Sequence, residues 1–282
     1  MKKTILELIN YGTRELKESD TPRLDAELIL SKVLKKNKLY LLMNKFEKVS
    51  DETVKEYYYL INLRKEKMPV KYILGQCEFY GIDLYIEEGV LIPRGDTEIL
   101  VEEVLKLIDN NKKIQICDLC SGSGAIGIAI AKHKENVFVD EIDYYDIPEK
   151  VTKINIQKSN MCDRVNFIKS DLLNEVINKK KYDIIVSNPP YIKKQEINTL
   201  MKDVKDYEPI TALDGGEDGL YFYKKIIGQS KKVLNENGIL AFEIGYDQAE
   251  DLEKLLRKDG YKNIKVVKDL AGLDRVVIAF LD

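Results

Sequence analysis

The sequence predicts an α/β fold with a mostly parallel sheet, preceded by a small helical domain. From residue 113 onward, short apolar strands alternate with amphipathic helices, a pattern typical of βαβ units with right-handed crossovers. Up to about residue 66, apolar residues recur at helical spacing instead. A chain of 282 residues is also long enough for one large α/β domain and a smaller second domain.

The N-terminal part of the chain is predicted to be helical. Apolar residues from Ile5 onward fall on one face of a first helix, and a second apolar pattern begins after Pro22. A further helix is expected from Asp51 until Pro69 ends it. We therefore expect residues 1–75 to form a helical domain.

A short β-rich segment follows the helical domain. The stretch CEFYGIDLYIEEGVLI, residues 77–92, is rich in β-branched and aromatic residues and is broken by Gly81 and Gly89. This composition predicts a β-hairpin that connects the two domains, over residues 76–95. The α/β domain is then expected to occupy residues 96–282.

The α/β domain is expected to contain seven strands with helices between them. The strands are predicted near residues 113–118, 137–142, 165–168, 182–187, 239–244, 264–268 and 275–281. The helices are predicted near residues 124–133, 147–159, 219–235 and 247–259. In an open sheet of this kind, ligands bind at the carboxyl ends of the strands.

A glycine-rich turn follows the first of these strands. The turn is Leu-Cys-Ser-Gly-Ser-Gly, residues 119–124, and an apolar helix follows it. Glycine lacks the Cβ that would keep a ligand away from the backbone, so this turn is a candidate ligand loop, although a purely structural turn would look the same. Gly122, Gly124 and Gly127 also have the spacing of a dinucleotide-binding loop, so this motif alone leaves NAD open.

An acidic residue ends the second strand of the domain. Asp143 follows Gly122 by 21 positions, where a carboxylate is placed to accept hydrogen bonds from ribose hydroxyls. Asp140 and Glu141 compete for this role but lie earlier in the strand, and a solvated carboxylate at a strand end is the other interpretation. Asp171 ends the third strand, where the adenine edge of a nucleoside ligand would lie.

The fourth strand leads into Asn-Pro-Pro-Tyr, residues 188–191. Two prolines remove two backbone donors and fix φ, so the carbonyl groups of the loop are free to face a ligand. The Asn188 side-chain oxygen and the Pro189 carbonyl could then accept both N–H groups of one planar –NH2, while Tyr191 stacks on its face. The alternative is an ordinary Pro-Pro loop that leaves a strand.

The Asn-Pro-Pro-Tyr motif resembles that of amino-group methyltransferases, which act on DNA bases, RNA bases and protein glutamine. The wider chain is similar to the peptide chain release factor glutamine methyltransferases over essentially its whole length. Two positions depart from the usual pattern, because Cys120 stands where that family generally has glycine and Gly95 where proline often follows the arginine. The other segments that carry this resemblance are residues 69–75, 78–79, 91–94, 97–98, 208–209, 212–213, 215–216, 218–219, 243–245 and 269–272.

The resemblance implies a class I S-adenosylmethionine (SAM)-dependent methyltransferase fold of Rossmann-like type, with seven strands and an antiparallel last strand. It implies methylation of the glutamine in the Gly-Gly-Gln motif of release factors, with residues 1–75 as the domain that docks the release factor. Asn188, Pro189 and Tyr191 would be catalytic, and these residues with Pro190 would hold the glutamine. The residues expected to line the SAM site are Cys120, Ser121, Gly122, Ser123, Gly124, Asp143, Asp171, Leu172 and Asn188.

Composition limits the other classes of function. Lys and Arg number 45 against 48 Asp and Glu, so the chain lacks the basic excess expected of a nucleic-acid-binding protein, which counts against a DNA or RNA methyltransferase with the same pocket. A non-catalytic binding module is the other rival. Cys117 and Cys120 have no second cysteine pair and the chain has one histidine, so we expect no metal. With no secretion signal or membrane-spanning run, we expect a cytoplasmic monomer with reduced cysteines.

Overall fold

The computed structural model describes residues 2–281. Its contacts divide the chain into two units: one comprises the residues up to Gln76 together with Met201–Tyr207, and the other comprises Cys77–Leu200 with the chain from Glu208 on. None of the helices among the described residues combines the length and the apolar character that a membrane span requires.

The N-terminal unit is helical. A capping box starts its first helix, because the Thr4 hydroxyl accepts from the Glu7 backbone nitrogen at 3.2 Å and the Glu7 carboxylate accepts from the Thr4 nitrogen at 2.8 Å. Apolar faces of these helices meet in one core that includes Leu8 and Ile29. The helices are α1 (Ile5–Glu15), α2 (Pro22–Leu34), α3 (Lys38–Met43), α4 (Asp51–Lys65) and α5 (Val70–Leu74).

A distant segment of the chain completes the helical unit. Met201–Tyr207 carries one short helix, Lys202–Lys205, and the Tyr207 hydroxyl donates to the Glu66 carbonyl at 2.9 Å. Glu66 is the C-cap of α4, where carbonyl groups lack partners within the helix, so this hydrogen bond satisfies an exposed helix end.

A hairpin of β1 (Gln76–Phe79) and β2 (Ile82–Tyr85) starts at the boundary of the two units, and the second unit contains a seven-stranded sheet. The strands of the sheet are β3 (Ile114–Leu119), β4 (Val137–Asp143), β5 (Val165–Lys169), β6 (Tyr182–Ser187), β7 (Leu234–Glu243), β8 (Tyr261–Lys268) and β9 (Asp274–Leu281). Their order is β5-β4-β3-β6-β7-β9-β8, and β9 is the one strand of this sheet that runs opposite to the other six. The predicted seven-stranded, mostly parallel sheet with an antiparallel last strand is confirmed.

Helices cover both faces of this sheet. The side chains of successive strand residues alternate, so Ile116 and Ile184 belong to one core cluster while Cys117 and Ile185 belong to the other. The strand order reverses between β3 and β6, and a ligand crevice is expected at the carboxyl ends of these two strands. The helices are α6 (Glu98–Leu107), α7 (Ala125–His133), α8 (Asp146–Lys158), α9 (Lys202–Lys205, in the helical unit), α10 (Tyr221–Ser230) and α11 (Ala249–Lys258).

Two elements differ from the sequence prediction. Helix α6 was not predicted, although Leu100, Val101 and Val104 have helical spacing and are fully buried. Helix α10 ends at Ser230 and not near residue 235, because β7 begins at Leu234 and pairs there with β6. The pairing of β6 with β7 contains a register shift, so β7 includes a polar stretch. That stretch lacks the alternation of apolar and polar residues that predicts a strand.

Candidate active site

Every second residue of the loop between β3 and α7, from Cys120 to Gly124, has a left-handed backbone. Cys120, Gly122 and Gly124 all have left-handed backbones, with φ of 61°, 57° and 75°. Glycine adopts this conformation without a steric penalty, whereas Cys120 has to accept one. Ser121 lies between them and donates its backbone N–H to the Ile142 carbonyl at 3.1 Å, which fixes the loop against β4.

Two polar side chains of α8 hold the carbonyl groups of this loop. The Thr152 hydroxyl donates to the Gly122 carbonyl at 2.9 Å, and the Asn155 amide nitrogen donates to the Ser123 carbonyl at 2.9 Å. Asn155 also exchanges two hydrogen bonds with the Tyr85 backbone. These two residues were not predicted, although a Thr and an Asn three positions apart on the buried face of a helix are an unusual signal.

Asp143 joins the end of β4 to the glycine loop. One carboxylate oxygen accepts from the Gly122 nitrogen at 2.9 Å, and the other accepts from the nitrogens of Tyr144 at 2.7 Å and Tyr145 at 3.3 Å. Burial raises the pKa of Asp143, and the backbone N–H groups oppose that rise because they stabilise the charged form. Asp143 therefore shapes the loop as well as facing the space beside it.

A cavity of about 310 Å³ opens beside this loop at the carboxyl ends of the strands. The sequence-predicted residues that line it are Cys120, Gly122, Asp143, Asp171, Leu172, Asn188 and Pro190. Ser121, Ser123, Gly124, Pro189 and Tyr191 are not among the lining residues, within the part of the chain that the structure describes. A Cβ at Gly122 would meet no described atom within 4 Å, so the open face of this glycine leaves room for a ligand.

The rest of the cavity wall was not predicted from the sequence. Tyr144 and Tyr145 follow Asp143 directly, and Leu172, which was predicted, is a bulky residue with φ of 50°. Such a conformation is rare outside glycine and is often found at functional sites. The other unpredicted lining residues are Gly89, Val90, Leu91, Leu119, Ile142, Pro148, Ser170, Pro209, Thr211, Ala212, Tyr221, Phe222 and Lys225.

The Asn188–Tyr191 loop is held by residues from several distant segments. The Asn188 amide nitrogen donates to the Thr97 hydroxyl at 3.4 Å, an arrangement that leaves the Asn188 oxygen free as an acceptor. The Tyr191 carbonyl accepts from the Gln248 amide at 2.9 Å, and the Tyr191 hydroxyl donates to the Glu243 carboxylate at 3.4 Å. Burial is the main cause that raises the pKa of Tyr191, so its hydroxyl stays protonated and remains a donor.

Behind this loop lies a buried acid–base group that the sequence analysis did not assign. Glu243 at the end of β7 is 2% exposed, and burial raises its pKa, while hydrogen bonding from Thr97 and the positive charge of Arg275 oppose the rise. Arg275 in turn contacts Asp269 at 3.0 Å and Asp96 at 3.5 Å. The segments 243–245 and 269–272 carried family resemblance, and these contacts give them a structural role.

A second buried carboxyl pair lies behind the glycine loop. Asp118 on β3 and Glu141 on β4 are opposite each other in the sheet and both are fully buried. Burial is the first cause that raises the pKa of both groups, and the charge of Asp118 raises the pKa of Glu141 further. One Asp118 oxygen accepts from the Gly127 nitrogen at 2.9 Å, which opposes the rise in the pKa of Asp118.

Comparison with known proteins adds independent information. Residues 7–75 match the family model described as the PrmC N-terminal domain, and residues 95–204 match the one described as the methyltransferase small domain. The catalytic domain of hMettl16 in complex with the MAT2A 3'UTR hairpin 6 has a TM-score of 0.58 at 18% identity, and the match covers 83% of this chain and 84% of that one. A structural likeness at this identity supports the fold alone.

Relatives that match nearly the whole chain identify the family, which the structural likeness does not. The release factor glutamine methyltransferase of Clostridium botulinum is 52% identical over 270 residues, which are 95% of each chain. The protein of the same name from Clostridium acetobutylicum is 50% identical over 256 residues, 90% of each chain. Matches at this identity that cover nearly the whole chain show that it belongs to the release factor glutamine methyltransferase family.

Proposed function

We propose that this enzyme transfers a methyl group from SAM to the side-chain amide nitrogen of a glutamine in peptide chain release factors, the glutamine of their Gly-Gly-Gln motif. The observation that carries the proposal is the orientation of Asn188, whose amide nitrogen is engaged by Thr97 while its oxygen is left as an acceptor beside the cavity. The relatives that are about half identical to this chain bear the name of that activity.

The residues around the cavity fit a SAM-type donor. Asp143 offers a carboxylate for ribose hydroxyls, and the left-handed Gly122 leaves open space where a side chain would otherwise stand. Asp171 and Leu172 follow β5 and line the cavity where we expect the adenine to bind. The donor supplies an electrophilic methyl group on a positively charged sulfur.

Asn188 and Pro189 would present two acceptors to the substrate amide. An amide nitrogen is a poor nucleophile because its lone pair is delocalised into the carbonyl. If the Asn188 oxygen and the Pro189 carbonyl each accept one N–H, the amide nitrogen is held in place. Its lone pair is then oriented towards the methyl group of the donor. Tyr191 would lie against the flat face of the amide, with its hydroxyl anchored by Glu243.

We propose that the helical unit docks the release factor through an exposed apolar patch on α3 and the turn after it. We call the residues Leu39, Leu42, Met43 and Phe46 the α3 patch, and they are 61%, 67%, 75% and 71% exposed. Exposed apolar groups this close together mark interaction sites in many soluble proteins. Lys35, Lys36, Lys38, Lys45 and Lys48 surround them in sequence, with Glu47 as the one carboxylate between residues 35 and 48.

The charge around the α3 patch indicates what it binds. Five lysines beside an apolar surface favour a partner surface that is itself apolar at its centre and acidic at its rim. We therefore expect Leu42→Ser combined with Phe46→Ser to raise KM for release factor about tenfold or more while SAM affinity stays unchanged. Tyr59→Ser, which removes another exposed apolar side chain of the same unit, is the control. An unchanged KM in the double variant would exclude this patch as the docking site.

The substrate is tested directly by mass spectrometry. Release factor is incubated with the enzyme and SAM, digested, and sequenced in the spectrometer; the expected product carries one added methyl group on the glutamine of Gly-Gly-Gln. Single-stranded and duplex DNA and structured RNA are offered in parallel reactions with radiolabelled SAM. Methylation of a nucleic acid with none on release factor would overturn the proposal in favour of a base methyltransferase.

We propose that the enzyme works as a monomer in the cytoplasm. Its four cysteines, Cys77, Cys117, Cys120 and Cys162, are free thiols, as expected in a compartment that keeps thiols reduced. Release factors act there in translation termination. Sedimentation equilibrium measures the mass in solution, and imaging of the tagged protein in cells checks the compartment.

A further inference from the structure

The turn between β8 and β9 holds a leucine out in the solvent. Leu270 has a relative exposure of 106%, the highest among the large apolar side chains of residues 2–281. Polar residues are usual in turns, because an apolar side chain there stays in contact with water. Leu273 in the same turn is exposed as well. Two exposed leucines this close together form a candidate contact for another molecule.

Hydrogen bonds fix the shape of this turn. The Asp269 carboxylate accepts from the nitrogens of Ala271 and Leu273, both at 2.9 Å, and the Asp269 nitrogen donates to the Leu273 carbonyl at 2.8 Å. Gly272, whose φ is 81°, donates its N–H to the Asp269 carbonyl at 3.0 Å. The backbone that carries Leu270 is therefore ordered before any partner binds, and this order reduces the entropy that binding costs.

Arg275 connects the turn to the residues that hold the Asn188–Tyr191 loop. Its guanidinium lies 3.0 Å from the Asp269 carboxylate and 3.5 Å from the Asp96 carboxylate. Asp96 directly precedes Thr97, whose hydroxyl accepts from the Asn188 amide at 3.4 Å. Two short steps through Arg275 and Thr97 thus join the turn to the proposed glutamine site.

The strand order places the turn and this loop at the same edge of the sheet. β9 runs antiparallel to β7, so the turn before β9 lies at the end where β6 and β7 finish. Because β6, β7 and β9 are consecutive neighbours, with strands about 4.8 Å apart, the turn is roughly 10–15 Å from the loop after β6. An extended chain covers about 3.3 Å per residue, so about three to five residues span this distance.

We propose that Leu270 is a docking contact for the release factor segment that carries the target glutamine, and that it packs against an apolar side chain about three to five residues from that glutamine. A polypeptide continues beyond the cavity on both sides of its glutamine, so it has to lie on the surface around the Asn188–Tyr191 loop. This inference rests on the proposed function, because the glutamine must occupy that loop for its neighbours to reach the turn.

The main test is Leu270→Ser in the full-length enzyme with intact release factor as substrate. A contact made equally in the ground state and the transition state contributes to KM and not to kcat. We expect KM for release factor to rise about 5- to 20-fold, while kcat and the SAM dissociation constant stay within about twofold. A KM equal to that of the wild type would overturn the inference.

Two control variants separate the apolar contact from the shape of the turn. Leu270→Met keeps an apolar side chain of similar size and should keep KM within about twofold. Ala271→Ser makes an exposed position of the same turn polar and should also leave KM unchanged. A rise in KM in either control as large as in Leu270→Ser would contradict an apolar contact at Leu270.

Photo-crosslinking locates the partner without relying on turnover. Leu270 is replaced by p-benzoylphenylalanine, the enzyme is irradiated with release factor, and mass spectrometry of the digest identifies the attached residue. We expect attachment within about five residues of the glutamine of Gly-Gly-Gln. Attachment elsewhere on release factor, attachment to a second copy of the enzyme, or no attachment would overturn the inference.

The wild-type enzyme distinguishes this inference from the proposed function. If the wild type adds no methyl group to release factor, the proposed function fails and the role of Leu270 fails with it. If the wild type methylates the glutamine but Leu270→Ser has an unchanged KM, the role of Leu270 fails and the proposed function stands.

Discussion

Asp143 accepts a hydrogen bond from the backbone nitrogen of Gly122 at 2.9 Å. The carboxylate at the end of β4 thus supports the glycine loop in addition to any contact with a ribose. A substitution at this position would remove both interactions at once. The effect on ligand binding should therefore exceed that of losing a single charged hydrogen bond.

We expect Asp143→Ala to weaken SAM binding by at least about 1.5–3 kcal/mol, the typical cost of removing a charge-assisted acceptor from a buried site. Isothermal titration calorimetry measures the affinity. Asp140→Ala is the control: Asp140 lies on the same strand but binds Lys180 at 2.7 Å and the Tyr182 hydroxyl at 2.8 Å. Equal losses in the two variants would show that the effect comes from the strand and not from Asp143.

Substitutions of Cys120 test whether the glycine loop requires a left-handed backbone at this position. Because its φ is 61°, glycine should fit this position without strain, and Cys120→Gly should bind SAM as well as the wild type. Cys120→Val should be destabilised by about 1–3 kcal/mol, since a β-branched residue is strongly disfavoured in the left-handed region. Urea denaturation of both variants gives the comparison. A Val variant as stable as the Gly variant would mean that the loop does not require this conformation.

The Asp118–Glu141 pair predicts how stability depends on pH. Burial and the charge of Asp118 raise the pKa of Glu141 well above its ordinary value of 4.5, so the folded protein binds a proton that the unfolded chain releases above that pH. The free energy of unfolding should therefore fall as pH rises, by about 1.4 kcal/mol per pH unit until the folded pKa is reached.

Glu141→Gln should remove this dependence. Glutamine is neutral at every pH, so the variant should gain stability over the wild type as pH increases from about 5 to about 8. Denaturant titrations at the two ends of that range give the difference. A constant difference between variant and wild type would show that Glu141 is ionised in the folded protein.

A structural feature could be predicted from the sequence when the residues next to it in the chain determine it. Glycine permits a left-handed backbone and proline fixes φ where each stands, so the turn at Gly122 and the loop from Asn188 could be predicted from a few residues. Gly127 gave the loop its dinucleotide-like spacing, and the structure provides another reason for it: a Cβ there would lie 2.2 Å from the Glu141 carboxylate.

Contacts between distant segments could not be predicted in the same way. Thr97 precedes the sheet and Glu243 ends its seventh numbered strand, and no spacing rule connects them. Both contact the loop that follows β6, Thr97 through Asn188 and Glu243 through Tyr191, and β6 lies between β3 and β7 in the sheet. Hydrophobic alternation predicts that strands exist, but their order follows from how the helices pack on both faces.

Asn188 provides the decisive test of the chemistry. Asn188→Ala should cut single-turnover methylation more than substrate binding, by about 10²- to 10³-fold, because it removes one preorganised acceptor while Pro189 remains. Asn188→Asp keeps an acceptor but loses the N–H that Thr97 receives, and it adds a negative charge beside the methyl donor. We expect this variant to bind SAM at least as well as Asn188→Ala, since the added charge stabilises the sulfonium, and to remain slow for the same reason. Rapid-quench measurement of methyl transfer, with calorimetry for SAM, separates the two effects. Wild-type single-turnover rates in both variants would show that Asn188 does not orient the amide, and the proposed mechanism would be wrong.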